Sequence, residues 1–361
     1  MPVFMWDSQL HSNLSSHLRY FGLLGILSLS GLAAQAQLDT EIEQADGIAE
    51  HSYKLGIELE ELGRFTDAFE AYERAVQEDP SHAQALNKLG VIYETQGNKA
   101  EAEYYYREAF IQNPAFHLAR LNLARFLKKS NRQPAAAKLL QATLELDAGY
   151  FEARMELSEI LVDQKLHRLA IALLQDGLLI HNDEPHLNLQ LGKVHVMAGE
   201  PDKSISFLEA AANGKEENHV SSLDFKSIKV EANWIPTLMY DAGKNQEKTD
   251  YYLQKVLEID PSNENARLFA AKKAFASLRE EEARKHLEIL LNLPLEDQPD
   301  PNELIRVLPF PQGAMILADI YRRSRRADVG KTILEQSLAV SKDSGNRIWT
   351  MQIQMELNRY K

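Results

Sequence analysis

Leu55, Leu89, Leu123, Leu157 and Leu191 fall 34 residues apart, five times without a slip. Such a period leaves few folds open, because a chain that repeats itself every roughly 20–50 residues stacks copies of one small unit. The residue after each leucine is small: Gly56, Gly90, Ala124, Ser158 and Gly192. In the same phase come Ala68, Ala102, Ala136, Ala170 and Ser204, then Tyr72, Tyr106, Leu140, Leu174 and Leu208. Ala75, Ala109, Thr143, Gly177 and Ala211 follow, and the first two units close with Asp79-Pro80 and Asn113-Pro114.

Each unit reads as two antiparallel helices, A and B. The small residue after the leucine lets helix B approach helix A, and Ala68 or Ala102 lets the next helix A pack equally close. The aromatics Tyr72 and Tyr106 are expected to fill the space between units. Proline ends helix B, because it has no N–H and its ring clashes with the preceding turn. Gly97 and Gly199 suit the turn between A and B, where a left-handed residue ends helix A. One hairpin cannot bury its apolar face alone, so neighbours must stack.

At these residues the chain resembles the tetratricopeptide repeat (TPR) family, and the resemblance extends over most of its length. It implies an all-α, right-handed superhelical solenoid of about eight helical hairpins with a C-terminal capping helix. The expected layout is a signal peptide at 1–36, a linker at 37–48 and units one to five at 49–218. An inserted connection at 219–229 comes next, then units six and seven at 230–297. A proline-rich loop at 298–310, unit eight at 311–344, and a capping helix and tail at 345–361 complete it. Pro236 is expected to kink helix A of unit six or delay its start. Ile348, Met351 and Met355 share one face of the last helix, the face expected to cap the stack.

Residues 1–36 read as a targeting segment. Arg19 precedes an apolar run from Tyr20 to Leu29, and Ala34-Gln35-Ala36 forms an A-x-A cleavage pattern. The run is short for a membrane span, which needs about 20 residues. The expectation is a periplasmic or secreted protein with no membrane span after cleavage. The alternative is an uncleaved inner-membrane anchor. With no cysteine there is no disulfide, thiolate metal site or cysteine nucleophile. A formal net charge of −13 argues against nucleic-acid binding through a wholly basic surface.

The chain has no phosphate-binding loop, no dinucleotide fingerprint, no nucleophile elbow and no H-E-x-x-H. The best metal-like cluster is His181, Asp183, Glu184 and His186; these side-chain types bind divalent ions, but they fall where a polar turn between repeats is expected. No cofactor, metal or catalytic residue is expected.

The TPR resemblance implies that helix A lines a concave groove. Carried over position by position, it gives Asn87, Asn122, Arg125, Lys128, Lys129, Glu156, Glu159, Trp234, Arg322 and Arg323 as partner-binding candidates. Glu60, Glu61, Glu94, Glu152 and Asp163 sit at groove positions too, and Leu189, Met197, Leu238, Phe269 and Phe275 would add apolar area. A groove of this kind holds an extended or helical partner segment, with apolar anchors supplying affinity and charges setting register. The competing reading pairs Arg125, Lys128 and Lys129 with Glu156, Glu159 and Asp163 on the next helix, where they neutralise one another. The family's carboxylate clamp for chaperone tails is not reproduced, because its basic and asparagine positions hold Tyr53, Ile57 and Leu118. The implied function is a non-catalytic protein–protein scaffold or adaptor in a bacterial periplasmic or envelope assembly. The alternatives are a self-assembling scaffold, or a carbohydrate-binding protein or enzyme built from the inserted loops.

Overall fold

The computed structural model describes residues 47–221, 223–291 and 310–360, all helices and turns with no strand among them. The signal segment and the proline-rich loop of the sequence reading lie outside the described residues. Two compact units divide the chain, Met1–Glu156 and Leu157–Lys361.

The first unit contains α1 (47–61), α2 (Phe65–Glu78), α3 (Ala83–Thr95), α4 (Lys99–Gln112), α5 (His117–Lys129) and α6 (Gln133–Leu146). α7 (Phe151–Asp163) includes the boundary. The second unit continues with α8 (His167–Ile180), α9 (Pro185–Met197), α10 (Pro201–Asn213), α11 (Phe225–Ala242) and α12 (Gln246–Ile259). α13 (Glu264–Ala276), α14 (Glu280–Leu290), α15 (Pro311–Arg323), α16 (Ala327–Asp343) and α17 (Arg347–Leu357) complete it. Odd-numbered helices up to α15 are the A helices, and α3, α5, α9, α11, α13 and α15 each pack on the even-numbered B helix that follows.

The glycine after the repeat leucine is a steric requirement. A Cβ on Gly90 would lie 2.6 Å from the Tyr106 ring, and one on Gly192 would lie 2.6 Å from Leu208. On Gly56 it would overlap Tyr72. The aromatic therefore seals its own hairpin first; Tyr72 then shares a core with Leu89 of the next unit. Tyr72 and Tyr106 are fully buried. Burial of one such ring contributes on the order of 2 kcal/mol.

A left-handed residue closes the A–B turn at the same repeat position throughout: Gly63, Gly97, Asn131, Lys165 and Gly199 all have positive φ. Only three of the five are glycine. The others accept the strain because the turn ties itself back: the Arg132 N–H donates to the Leu127 carbonyl and Leu166 to Leu161, each at 2.8 Å. The B–A junction has a similar economy. Asp79 and Asn113 accept the N–H two residues on, at 2.8 and 3.1 Å, and Asp147 does the same for Gly149 at 2.9 Å. Unit three therefore keeps its turn without the proline.

Three expectations are corrected. First, α11 begins at Phe225, inside the stretch read as an insertion, because the Asp224 carboxylate caps it by accepting from Ser227 N at 2.8 Å. Second, Pro236 does not delay the helix, which runs through it from Phe225 to Ala242. Thr237 Oγ1 donates to the Asn233 carbonyl at 2.9 Å, and Asn233 Nδ2 to the Lys229 carbonyl at 2.8 Å. Both side chains and the proline are buried, so local polar bonding and packing offset the missing N–H. Third, α17 covers the preceding hairpin with the opposite face. Ile353 and Leu357 are buried against Ala318 and Leu334. Ile348, Met351 and Met355 are 66%, 61% and 62% exposed and point away.

Candidate functional site

The A helices of the first unit are bonded to one another, repeat to repeat. Asn122 Nδ2 donates to Asn87 Oδ1 at 2.9 Å, joining α5 to α3. Lys88 bonds Glu60, joining α3 to α1. Lys129 meets Glu94 at 2.8 Å, and Glu94 also accepts from the buried Tyr106 hydroxyl at 2.8 Å. Glu156 receives Arg125 at 2.6 Å and Lys128 at 3.2 Å. Burial alone would raise the Glu156 carboxyl, but the Arg125 bond and the Lys128 charge outweigh it and hold the group below its ordinary value. Arg125 and Lys128 thus meet Glu156 on the next A helix, as the neutralising reading has it, whereas Lys129 turns back to Glu94 of α3.

In the second unit Lys193 bonds Glu231 at 2.8 Å and Lys226 bonds Asp260 at 3.1 Å. Lys273 bonds Asp241 as well. Apolar side chains open clefts between these pairs. Val162, Gln190, Lys193, Val194 and Met197, with Glu159 and Asp163, line a cleft of about 240 Å³ between α7 and α9. Val230, Glu231 and Trp234 of α11 and Asn263 and Asn265 at the start of α13 line another of about 330 Å³, with Asp224, Lys226, Ser227 and Asp260 on its rim. Trp234 is half-buried and held edge-on to Phe269, ring centres 5.6 Å apart. Met197 and Leu238 are 55% and 44% exposed.

The remaining candidates are placed differently. Leu189 is buried in the α9–α11 core and offers no contact area. Phe269 and Phe275 are half-buried and packed against cores. Arg322 bonds Asp319, while Arg323 bonds Glu280 at 3.1 Å and Asp319 at 2.7 Å and lies over the Phe275 ring. The His181–His186 stretch builds the α8–α9 turn. Glu184 is fully buried and caps α9, accepting from Leu187 N at 2.6 Å. His186 Nδ1 lies 2.6 Å from Ser221 Oγ, and burial, then the Lys193 and His219 charges, push its pKa down to about 4. Among the described residues, no three His, Asp or Glu side chains gather as a metal-ligand set.

Among the cleft residues that went unread in the sequence are Lys193 and Glu231. Lys193 stands 34 and 68 residues beyond Glu159 and Arg125, so the repeat phase could have found it. Glu231 could not be found that way, because the connection before α11 breaks the phase.

The tetratricopeptide repeat profile matches residues 53–115, the span from α1 to the α4–α5 turn. The chain carries tetratricopeptide repeats. The mouse protein O-mannosyl-transferase TMTC1 is 36% identical over 85 residues, which are 24% of this chain and 9% of that protein. This TPR chain thus spans under a tenth of that relative. Among solved structures, the pilF protein of Pseudomonas aeruginosa is 17% identical, with 63% of this chain and 99% of that one covered and a TM-score of 0.48. YrrB, a TPR protein with an unusual peptide-binding site, is 19% identical, with 57% and 99% covered and a TM-score of 0.41.

Proposed function

We propose that this TPR chain is a non-catalytic scaffold that holds a segment of a partner protein against the A helices of its second unit. The observation that carries the reading is the pair of clefts beside Met197 and Trp234. There, apolar side chains interrupt a face whose cations are already paired with carboxylates. A partner gains most from apolar or aromatic anchors that enter such clefts, and the paired charges at the rim set its register. The acid–base groups that the fold buries are spent on structure. Glu184 caps α9, and Glu288 accepts from Arg284 at 2.7 Å and Tyr321 at 2.8 Å. On the strength of residues 1–36 we place the protein outside the inner membrane, in an envelope assembly. N-terminal sequencing of the protein from a cell envelope fraction tests this: a mature chain starting at Gln37 supports it, and an intact Met1 in the cytoplasm overturns it.

The binding test compares two variants in affinity purification from that fraction. Met197→Glu should lose the captured partner, and the triple variant Arg125→Glu, Lys128→Glu, Lys129→Glu should retain it if folded. The reverse pattern would move the site to α5. Self-assembly is the second reading, favoured by the uncovered face of α17. A monomer at every concentration in a light-scattering series would remove it.

A further inference from the structure

The repeat slips between α10 and α11, and there the chain is fastened by a histidine. Glu184, fully buried at the start of α9, has Oε1 3.1 Å from Nδ1 of His219 and 3.4 Å from the Val220 nitrogen. The other ring nitrogen of His219, Nε2, lies 2.7 Å from the Leu223 carbonyl oxygen. Both ring nitrogens therefore face oxygens that can only accept: a carboxylate and a backbone carbonyl. A neutral imidazole carries one N–H and satisfies one of them; the imidazolium carries two and satisfies both.

We propose that His219 is a proton-operated latch: its imidazolium ties the α10–α11 connection to Glu184, and loss of one proton releases the connection.

The surroundings fit that role. His186, whose ring feels the His219 charge, is held neutral at physiological pH by burial and by the Lys193 and His219 charges, so it does not compete for the proton. The Glu231 charge favours the charged form of His186, against that trend. On the α11 side, the His219 ring packs 5.6 Å from Phe225, and Lys229 lies over the far partner of that contact, 5.3 Å from the Phe225 ring centre. Glu216 and Glu217 precede it in a short 3-10 turn. Glu184 alone among these carboxylates bonds His219, and it is cut off from water, so a released latch leaves a buried carboxylate without its cation. The direction follows from the bond count: the doubly protonated ring satisfies both oxygens, and the ring that has lost a proton satisfies one.

Release would be felt a few residues on. The Val220 N–H donates to the same Glu184 oxygen and the Leu223 carbonyl accepts from His219, and the next residue, Asp224, caps α11 and forms part of the rim of the Trp234 cleft. The latch itself does not depend on that cleft binding anything.

Amide hydrogen exchange of the full chain, read by mass spectrometry and corrected for the intrinsic pH dependence of exchange, tests it directly. Protection of peptides covering 216–226 should be about tenfold or more greater near pH 5.5 than near pH 8, as expected for losing a hydrogen bond to a charged group. Peptides from α3 and α4 serve as the internal reference and should show no such ratio. In His219→Gln the ratio should vanish while α9 and α10 stay protected. Equal protection of 216–226 at the two pH values in the unaltered chain would overturn the proposal without recourse to any variant. So would an unchanged ratio in a folded His219→Gln chain.

Discussion

The A helices of the first unit and those of the second use the same positions for different ends. In the first, Asn87, Lys88, Glu94, Asn122, Arg125 and Lys129 bond the neighbouring helix. In the second, Met197 and Trp234 stand beside open clefts while Lys193 and Lys226 are paired with carboxylates. The contrast teaches how to read charge in a stacked repeat. Residues 34 apart become spatial neighbours, so charges of opposite sign in successive repeats are first of all each other's partners. Surface that remains for a ligand is found where an apolar side chain takes such a position.

The largest effect should come from the steric core of the first unit. Tyr106→Ala empties the space that Gly90 leaves and strips Glu94 of a bond; it should cost about 3–5 kcal/mol in urea unfolding. A loss under about 1 kcal/mol would mean that the hairpin does not depend on that ring. On the second unit, Met197→Glu should weaken partner binding by about 2 kcal/mol, measured by titration calorimetry with the captured partner. Its stability should stay within about 0.5 kcal/mol, as for an exposed substitution. Equal losses of binding and stability would show Met197 to be structural and erase the contrast.

The turns differ between units as well. The first closes two of its A–B turns with Gly63 and Gly97; the second uses Lys165, Lys244, Leu278 and Arg325 at positive φ, besides Gly199. Leu278 has φ 59° and is 78% exposed, so Leu278→Gly removes strain and little packing. It should stabilise the chain by about 1 kcal/mol. The smallest effect should come from acid. The Arg132 and Arg107 bonds hold Glu103 below its ordinary value of 4.5, and Glu156 is lowered despite its burial. Groups lowered in the folded state contribute stability above that value and lose it as pH falls through their folded values. Thermal unfolding of the first unit should therefore soften below about pH 4.5, by less than about 1 kcal/mol per exposed pair. Flat stability down to pH 3 would show that the ladder contributes nothing.

Most of the fold was legible because its signals are local and periodic. The glycine–tyrosine contacts, the helix pairs and the stop at Asp79-Pro80 all follow from 34-residue spacing. What was misread or left unread depended on side chains that no period reports. Asp147 keeps a turn that had lost its proline, Asp224 starts α11 five residues early, and Thr237 and Asn233 bond their own helix beside Pro236. For α17 the sequence reading took the Ile348-Met351-Met355 face, and the packing of Ile353 and Leu357 on Ala318 and Leu334 shows that the other face covers the stack. The candidate site was legible as a set of positions. Which charges were already engaged was not, because pairing depends on the rotamers of long side chains across the stack.

The most direct measurement is site-specific photo-crosslinking in the cell envelope. A photoreactive residue at Met197 or Leu238 should give a discrete crosslinked partner, and one at Arg125 should give none. Crosslinks from Arg125 alone, or a partner that joins all three positions equally, would contradict a site on the second unit.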